Sequence, residues 1–383
     1  MRIKIPVYQP ALHGNEEKYI LECLRTNWIS SKGSFINEFE RKFAEYIQVN
    51  YATTTANGTV ALHLALLALN IQPGDEIIVP TFTYVASVNA IAYMQATPVF
   101  VDSEKRYWQI DSTDVLKKIT PKTKAIMVVH LYGHSCDMDA LKQIALDKGL
   151  YLIEDCAEAT GTLFNGKHVG TFGDIGAFSF YGNKTITTGE GGMVVTNNVK
   201  IFDRLQHLKA QGLARGREYW HDIIGYNYRM TNLCAAIGLA QLEQIDVILK
   251  KKRQLAQWYR VELEGLPLGV HEECCGVRHS YWMISILLDN AEHRDALRAV
   301  LTQEGIETRP LFYPVHTMPI YEKISCDIKL PIAEDLSSRG FNLPSWPDLS
   351  QAQVAFICSH IKNYFSSSLQ YKTINNKTVC TRV

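Results

Sequence analysis

The sequence predicts an α/β protein with a large, mostly parallel sheet, followed by a smaller α+β domain. Three observations carry this prediction. Between about residues 50 and 200, short apolar runs alternate with helical stretches. Several of those runs are rich in Val and Ile and are bounded by Gly, Pro or Asp. After GYNYRMTN (225 to 232) the alternation stops and long helical patterns take over. At 383 residues the chain exceeds what one small core organises, so two domains are expected.

The strands read in order as YATTT (51 to 55), EIIVP (76 to 80), TPVFVD (97 to 102), KAIMVVH (124 to 130), YLIED (151 to 155), GAFSF (176 to 180) and GMVVTN (192 to 197). Continuous apolar runs of this length suit strands covered on both faces. VALHLALLAL and DMDALKQIALDKG lie between them as helices. Further on, AAIGLAQLEQIDVILKKKRQLAQWYRVELEGL reads as one long helix or a pair. YWMISILL reads as a strand, HRDALRAVLTQEG as a helix closing on Gly305, and AQVAFICSHIKNYF as a last helix. This divides the chain into a large domain over 1–245, a small one over 246–365, and a polar, aperiodic tail over 366–383 that is expected to be disordered.

Lys+Arg and Asp+Glu are both 39, so the net charge is zero. That argues against a nucleic-acid or membrane-surface binder, either of which needs a basic excess. No run of 18 apolar residues suggests a membrane span, and the first residues lack the apolar stretch of a signal peptide. The nine cysteines are scattered and odd in number, which suits reduced thiols in a cytoplasmic protein.

Three places could carry chemistry. Asn57-Gly58-Thr59 joins a strand to an apolar helix. Backbone N–H groups and the helix dipole there suit a phosphate, although an ordinary helix cap reads the same way. Asp155 ends the strand YLIED, with Glu154 and Glu158 beside it. Ligands of open α/β sheets collect at strand carboxyl ends, and a buried carboxylate there needs a cation. The alternative is a carboxylate cluster drawn to a helix start. Lys184 follows the strand GAFSF and Gly182, on a short connection before Gly189-Glu190-Gly191-Gly192. A held lysine with a depressed pKa can form a Schiff base, whereas most lysines are surface charges. Together the three supply a phosphate site, a partner for a protonated ring nitrogen and an imine-forming amine, the needs of pyridoxal 5'-phosphate.

The blocks NGTVALHLAL, GDEIIVPTFTYVASVNAI, ATPVFVD, KAIMVVHLYG, LIEDCAEATG, GDIGAFSFYGNKTITTGEGGMVVTN and YNYRMTNLCAAIGLAQLE occur in one order. In them the chain resembles the DegT/DnrJ/EryC1/StrS sugar aminotransferases. The resemblance implies the aspartate-aminotransferase-like architecture, pyridoxal-phosphate fold type I, with a large mixed, mostly parallel sheet domain and a smaller α+β domain. It implies Lys184 as the Schiff-base lysine and Asp155 as partner of the pyridinium nitrogen. Glu158, where many relatives carry Gln, is placed near the ring hydroxyl. Gly58, Thr59 and Ser179 are expected on the cofactor phosphate, and Tyr84 on the ring. Asn227 is expected to reach the cofactor phosphate of a neighbouring subunit, which implies a homodimer with shared active sites. Arg229, Arg309, Tyr313 and His316 are substrate-binding candidates.

WISSKG, HLYGHSCDM, YWHDIIGYNYRMTN and ETRPLFYPVHTMP further resemble members that aminate GDP-4-keto-6-deoxy-mannose at C4 with L-glutamate, for surface glycan or O-antigen synthesis. Members using dTDP- or UDP-linked 4-keto-6-deoxy-glucose are the alternative, and a non-catalytic pyridoxal-phosphate-binding regulator is a further reading that no basic, DNA-binding segment supports. Sugar dehydratases of the family carry histidine at the Lys184 position, and histidine cannot form the imine.

No metal site is expected. His130 and His134 are four apart, but Gly133 after an apparent strand makes them a loop pair. His63 suits an apolar core. Lys250-Lys251-Lys252-Arg253 reads as a solvated helix face.

Overall fold

The structure, a computed structural model, describes residues 4–379, with side chains through residue 366. Its strands are β1 (Tyr51–Thr55), β2 (Glu76–Pro80), β3 (Thr97–Val101), β4 (Thr123–Val129), β5 (Tyr151–Asp155), β6 (Leu163–Phe164), β7 (Lys167–His168), β8 (Ile175–Ser179), β9 (Gly192–Thr196), β10 (Leu268–Val270), β11 (Val277–Arg278), β12 (Ile284–Leu288), β13 (Arg309–Pro310) and β14 (Gly340–Leu343). The seven runs read from the sequence all form strands, and together they make one sheet in the order β1-β9-β8-β5-β4-β2-β3. Its centre is parallel, from β3 through β2, β4 and β5 to β8. β9 runs antiparallel to both β8 and β1. The sheet is therefore mixed, and β1 points the same way as β8.

The helix Gly58–Ala68 is apolar all round because it is buried, with Leu62, Leu64 and Leu66 in the core beside β2, β8 and β9 residues. On the other face Phe39 and Phe43 of the helix Ser34–Ile47 meet Phe178 and Phe180 edge-on or tilted. His63 lies in this buried helix and meets the Tyr228 hydroxyl at 3.0 Å.

The stretch after residue 231 is a pair of helices, Asn232–Glu243 and Ile245–Leu263, bent by 63° at their junction. Among the described residues no single helix is long and apolar enough to cross a membrane. A second sheet, β10-β12-β14-β13, is antiparallel and packs against the second of these helices and the last one. Ile5 bridges to Ile306 and sits in this smaller core, so the N-terminal segment belongs with the C-terminal sheet.

Two sequence expectations change here. The last helix runs from Gln351 to Val379, so the segment read as an aperiodic tail continues a helix; residues 380–383 lie outside the described residues. Lys252 is 0% exposed, not on a solvated face. Its amine donates to the carbonyls of Trp282, at 2.8 Å, and Ser345. Arg253 pairs with Glu273. Lys250 and Lys251 are exposed as expected, so within the run it is Lys252 that turns into the protein.

Three buried histidines join the units. His134 follows β4, His271 follows β10, and His279 precedes β12. Their rings lie 5.1–5.6 Å apart. Each stacks on an aromatic ring: Tyr107 on His134, Trp108 on His271 and Tyr281 on His279. His279 Nδ1 accepts from the Tyr281 N–H, so Nε2 carries the proton and donates to His271 Nδ1. His271 Nε2 then donates to the Tyr107 carbonyl. His134 Nε2 accepts from the Cys274 N–H, leaving Nδ1 to donate to the Ser135 carbonyl. Every ring nitrogen is used in the neutral form. Burial lowers all three pKa values, to about 4 for His134 and about 3 for His271.

Below the unfolded-state value of about 6.5, the unfolded chain binds protons that the folded chain refuses. Each such histidine removes about 1.4 kcal/mol of stability per pH unit until its folded pKa is reached. The urea midpoint of unfolding should therefore fall steeply between about pH 6.5 and 4. A midpoint unchanged from pH 7 to pH 5 would contradict this account.

Candidate active site

Parallel strands deliver their carboxyl ends to one edge of the large sheet, and the predicted chemistry gathers there. Asp155 is the last residue of β5 and only 4% exposed. Its carboxylate accepts from Ser87 Oγ at 2.7 Å and from the Ala157 N–H at 3.0 Å. Burial raises its pKa, and those two hydrogen bonds with the Lys184 amine pull it back. Glu158 is equally buried and accepts from the Tyr132 N–H at 2.7 Å. Burial lifts its pKa to about 7, opposed by Lys184 and the Tyr132 N–H and reinforced by Asp155.

Lys184 sits on the connection after β8. Its N–H closes a turn onto the Tyr181 carbonyl at 2.8 Å, and its own carbonyl accepts from Tyr8 Oη at 2.6 Å. The side chain is half-buried. Burial lowers the amine pKa, and Glu158 and then Asp155 work against that shift. Nζ lies 3.9 Å from the centroid of the Trp282 ring, whose Nε1–H donates to the Asn183 carbonyl at 2.7 Å. The amine, two carboxylates and an indole face thus share one cleft.

The helix Gly58–Ala68 starts beside them. Asn57 caps it, accepting from the Val60 N–H at 3.0 Å. The sequence left a cap and a phosphate cradle as alternatives. The cap exists, and the Gly58 and Thr59 N–H groups at the helix start have no intrahelical acceptor. A Cβ on Gly58 would lie 2.7 Å from Ser179 Cβ, so Gly58 and Ser179 meet. On the lysine connection, the buried Asn183 Oδ1 and Thr185 Oγ1 have no partner within the described residues. A helix start for a phosphate, a carboxylate for a ring nitrogen and unspent polar atoms beside the lysine fit pyridoxal 5'-phosphate.

The other predicted residues fall into two groups. Tyr84, 57% exposed, opens the helix Val85–Tyr93, with its ring 5.6 Å from Phe312. Phe312 stacks on Tyr132, and Tyr132 on Trp282, so an aromatic row runs from Tyr84 to the lysine. Tyr313 adjoins that row and is exposed. Asn227 is exposed, and its Oδ1 accepts from Arg229 at 3.1–3.2 Å. Arg309 is exposed on β13, 3.6 Å from Glu307. His316 differs from the expectation of a substrate contact. It is 5% exposed, with Nδ1 2.7 Å from Thr81 Oγ1 and Nε2 3.2 Å from Glu334. Both nitrogens are engaged, so it braces its loop.

Sequence reasoning missed Tyr8, Ser87, Tyr132 and Trp282. Tyr8 and Trp282 reach the lysine from elements far away in sequence, and no local signal reports that. Tyr132 is in HLYGH, where adjacent positive φ at Tyr132 (55°) and Gly133 marks a tight turn that the glycine hinted at. His130, Glu154 and Cys156 have ligand atoms within 4.8 Å of one another. The Glu154 carboxylate there accepts from the Gly170, Phe172 and Gly173 N–H groups and faces His130, so it serves as a backbone latch.

The chain matches the DegT/DnrJ/EryC1/StrS aminotransferase family over residues 10–362. It is 61% identical to the GDP-perosamine synthase of Escherichia coli O157:H7 over 363 residues, covering 94% of this chain and 99% of that one. It is 56% identical to the Vibrio cholerae GDP-perosamine synthase, with the same coverage. Among solved structures, S. venezuelae DesV in complex with a ketimine intermediate superposes with a TM-score of 0.87 at 34% identity, covering 91% of this chain and 94% of DesV. A match that spans both sheets, together with identities this high over nearly the full length, makes this chain a member of the DegT/DnrJ/EryC1/StrS family, a pyridoxal-phosphate-dependent sugar aminotransferase.

Proposed function

We propose that this chain moves the amino group of L-glutamate to C4 of GDP-4-keto-6-deoxy-mannose, giving GDP-perosamine for surface glycan or O-antigen synthesis, as a cytoplasmic homodimer. The observation that carries the chemistry is the Lys184 amine at the sheet edge, near enough to Glu158 and Asp155 for their charges to oppose the lowering of its pKa by burial. The sugar assignment is supported by relatives named GDP-perosamine synthase at 61%, 56% and 47% identity.

Bound pyridoxal phosphate supplies an aldehyde for the lysine amine and a ring that accepts electron density. Gly58, Thr59 and Ser179 would bind its phosphate, and Tyr84 would lie against its ring. Asp155 would hold the proton on the ring nitrogen by charge. Glu158 would serve the ring hydroxyl, where a carboxyl whose pKa burial lifts to about 7 can keep or share a proton. Lys184 Nζ moves the proton at the α-carbon of glutamate, and in the second half-reaction the proton at sugar C4. Arg229, Arg309 and Tyr313 are the side chains assigned to the sugar nucleotide, with arginine suited to its phosphates.

Asn227 is assigned to the partner's cofactor phosphate. Its exposure supports this, as do the exposed apolar side chains on the same arm, Tyr219 at 93%, Ile224 at 90% and Trp220 at 50%. Large apolar groups at such exposure suit a covered interface.

Replacing Lys184 with Ala should abolish the visible absorption of the cofactor imine. Turnover should fall by more than about 10⁴-fold, because proton transfer alone contributes on the order of 10²–10⁴. Full turnover in that variant would refute the assignment. Gly58→Ala forces a Cβ against Ser179, an overpacking of about 1–3 kcal/mol. Cofactor affinity, measured by equilibrium dialysis, should weaken by roughly 5- to 150-fold while the fold persists. Assayed side by side with glutamate, the GDP-linked keto sugar should outpace dTDP- and UDP-linked 4-keto-6-deoxy-glucose. A preference for either of those would replace the perosamine assignment and leave the aminotransferase in place.

A further inference from the structure

We propose that Trp282 is a positioning residue for the lysine, its indole face holding the Lys184 amine inside the cleft whenever that amine is free. The proposal rests on the reading of Lys184 as the reacting amine. A buried tryptophan is ordinarily core packing, but this one faces a charged nitrogen, with Nζ 3.9 Å from its ring centroid. Its Nε1–H donates to the carbonyl of Asn183, the residue next to the lysine, so indole and lysine turn are tied together. The indole cannot drift. Lys252 holds its carbonyl at 2.8 Å, Tyr132 stacks nearly parallel at 6.1 Å, and the preceding Tyr281 adopts a left-handed φ of 51°.

The charged and titratable groups around the amine come from several elements. Asp155 ends β5, Glu158 follows it, Tyr8 binds the Lys184 carbonyl, and Lys252 lies on the backbone side of Trp282. The two carboxylates attract the ammonium by charge, Glu158 more strongly than Asp155. The indole face attracts it without accepting a proton, through the ring quadrupole. An amine held this way keeps its N–H donors available and stays on one side of the cleft while substrates exchange.

The test uses holoenzyme converted with excess glutamate, in which the Lys184 amine is free. Acetylation of Lys184 by acetic anhydride, followed by peptide mass spectrometry across pH, reads the pKa of that amine. Removing the ring face in Trp282→Leu should lower it by about 0.5 to 1.5 units, and Trp282→Phe, which keeps a ring, by less. A role in packing alone would change the melting temperature and leave this pKa where it was. An unshifted pKa in folded Trp282→Leu overturns the proposal. Should that variant not fold, uniform replacement of tryptophan by a fluorinated analogue keeps the shape and weakens the quadrupole. A lowered Lys184 pKa then supports the proposal, and an unchanged one overturns it. Neither result depends on the sugar assay, and loss of turnover in Lys184→Ala would stand either way.

Discussion

Two carboxylates and an amine at the edge of the large sheet must be held where water solvates them poorly. Each ion removed from water carries a penalty of several kcal/mol unless donors and opposite charges surround it. The local architecture follows from that need. Ser87 and the Ala157 N–H serve Asp155, the Tyr132 N–H serves Glu158, and the lysine amine is near enough to feel the charge of both acids. Tyr132 reaches Glu158 only by taking a left-handed backbone, a strain on the order of 1 kcal/mol for a non-glycine residue. The turn is held from the far side too, where its hydroxyl accepts from the Phe312 N–H. At the next residue, a Cβ on Gly133 would lie 2.5 Å from Ser280 Oγ, so glycine is required there.

The same need explains why the smaller unit leans on the larger one. Tyr8 and Trp282 close over the lysine turn from the N-terminal segment and from the start of the second sheet. Lys252 fastens the carbonyls of Trp282 and Ser345 to the linking helix. A cleft assembled from both units is shaped by their contact, and the aromatic row from Tyr84 to Trp282 spans that contact.

Much of this was legible in the sequence. The buried strands announced themselves as Val- and Ile-rich runs, because a parallel sheet covered on both faces tolerates little else. Lys184, Asp155 and Gly58 stood at strand ends, where chain order alone puts them on one edge. Helix pattern was less reliable where burial was uneven. Lys252 looked solvated within a run of cations, yet its neighbours on the helix face two different units. His316 looked like an open ligand and proved to be braced by Thr81 and Glu334, both distant in sequence. The small strands β6, β7 and β11 left no apolar run to read, being only two residues long. Contacts such as Tyr8 to Lys184 depend on tertiary closure, which no local pattern encodes.

The three stacked histidines have one more consequence. Joints between protein units are often fastened by ion pairs, and those loosen as dissolved ions screen them. This joint is made of uncharged rings, hydrogen-bonded in sequence and each laid on an aromatic partner. Ionic strength has no handle on such contacts. This part of the joint is therefore insensitive to dissolved salt, unlike the exposed Arg106–Glu272 pair beside it, and protons compete for the ring nitrogens that link the two units.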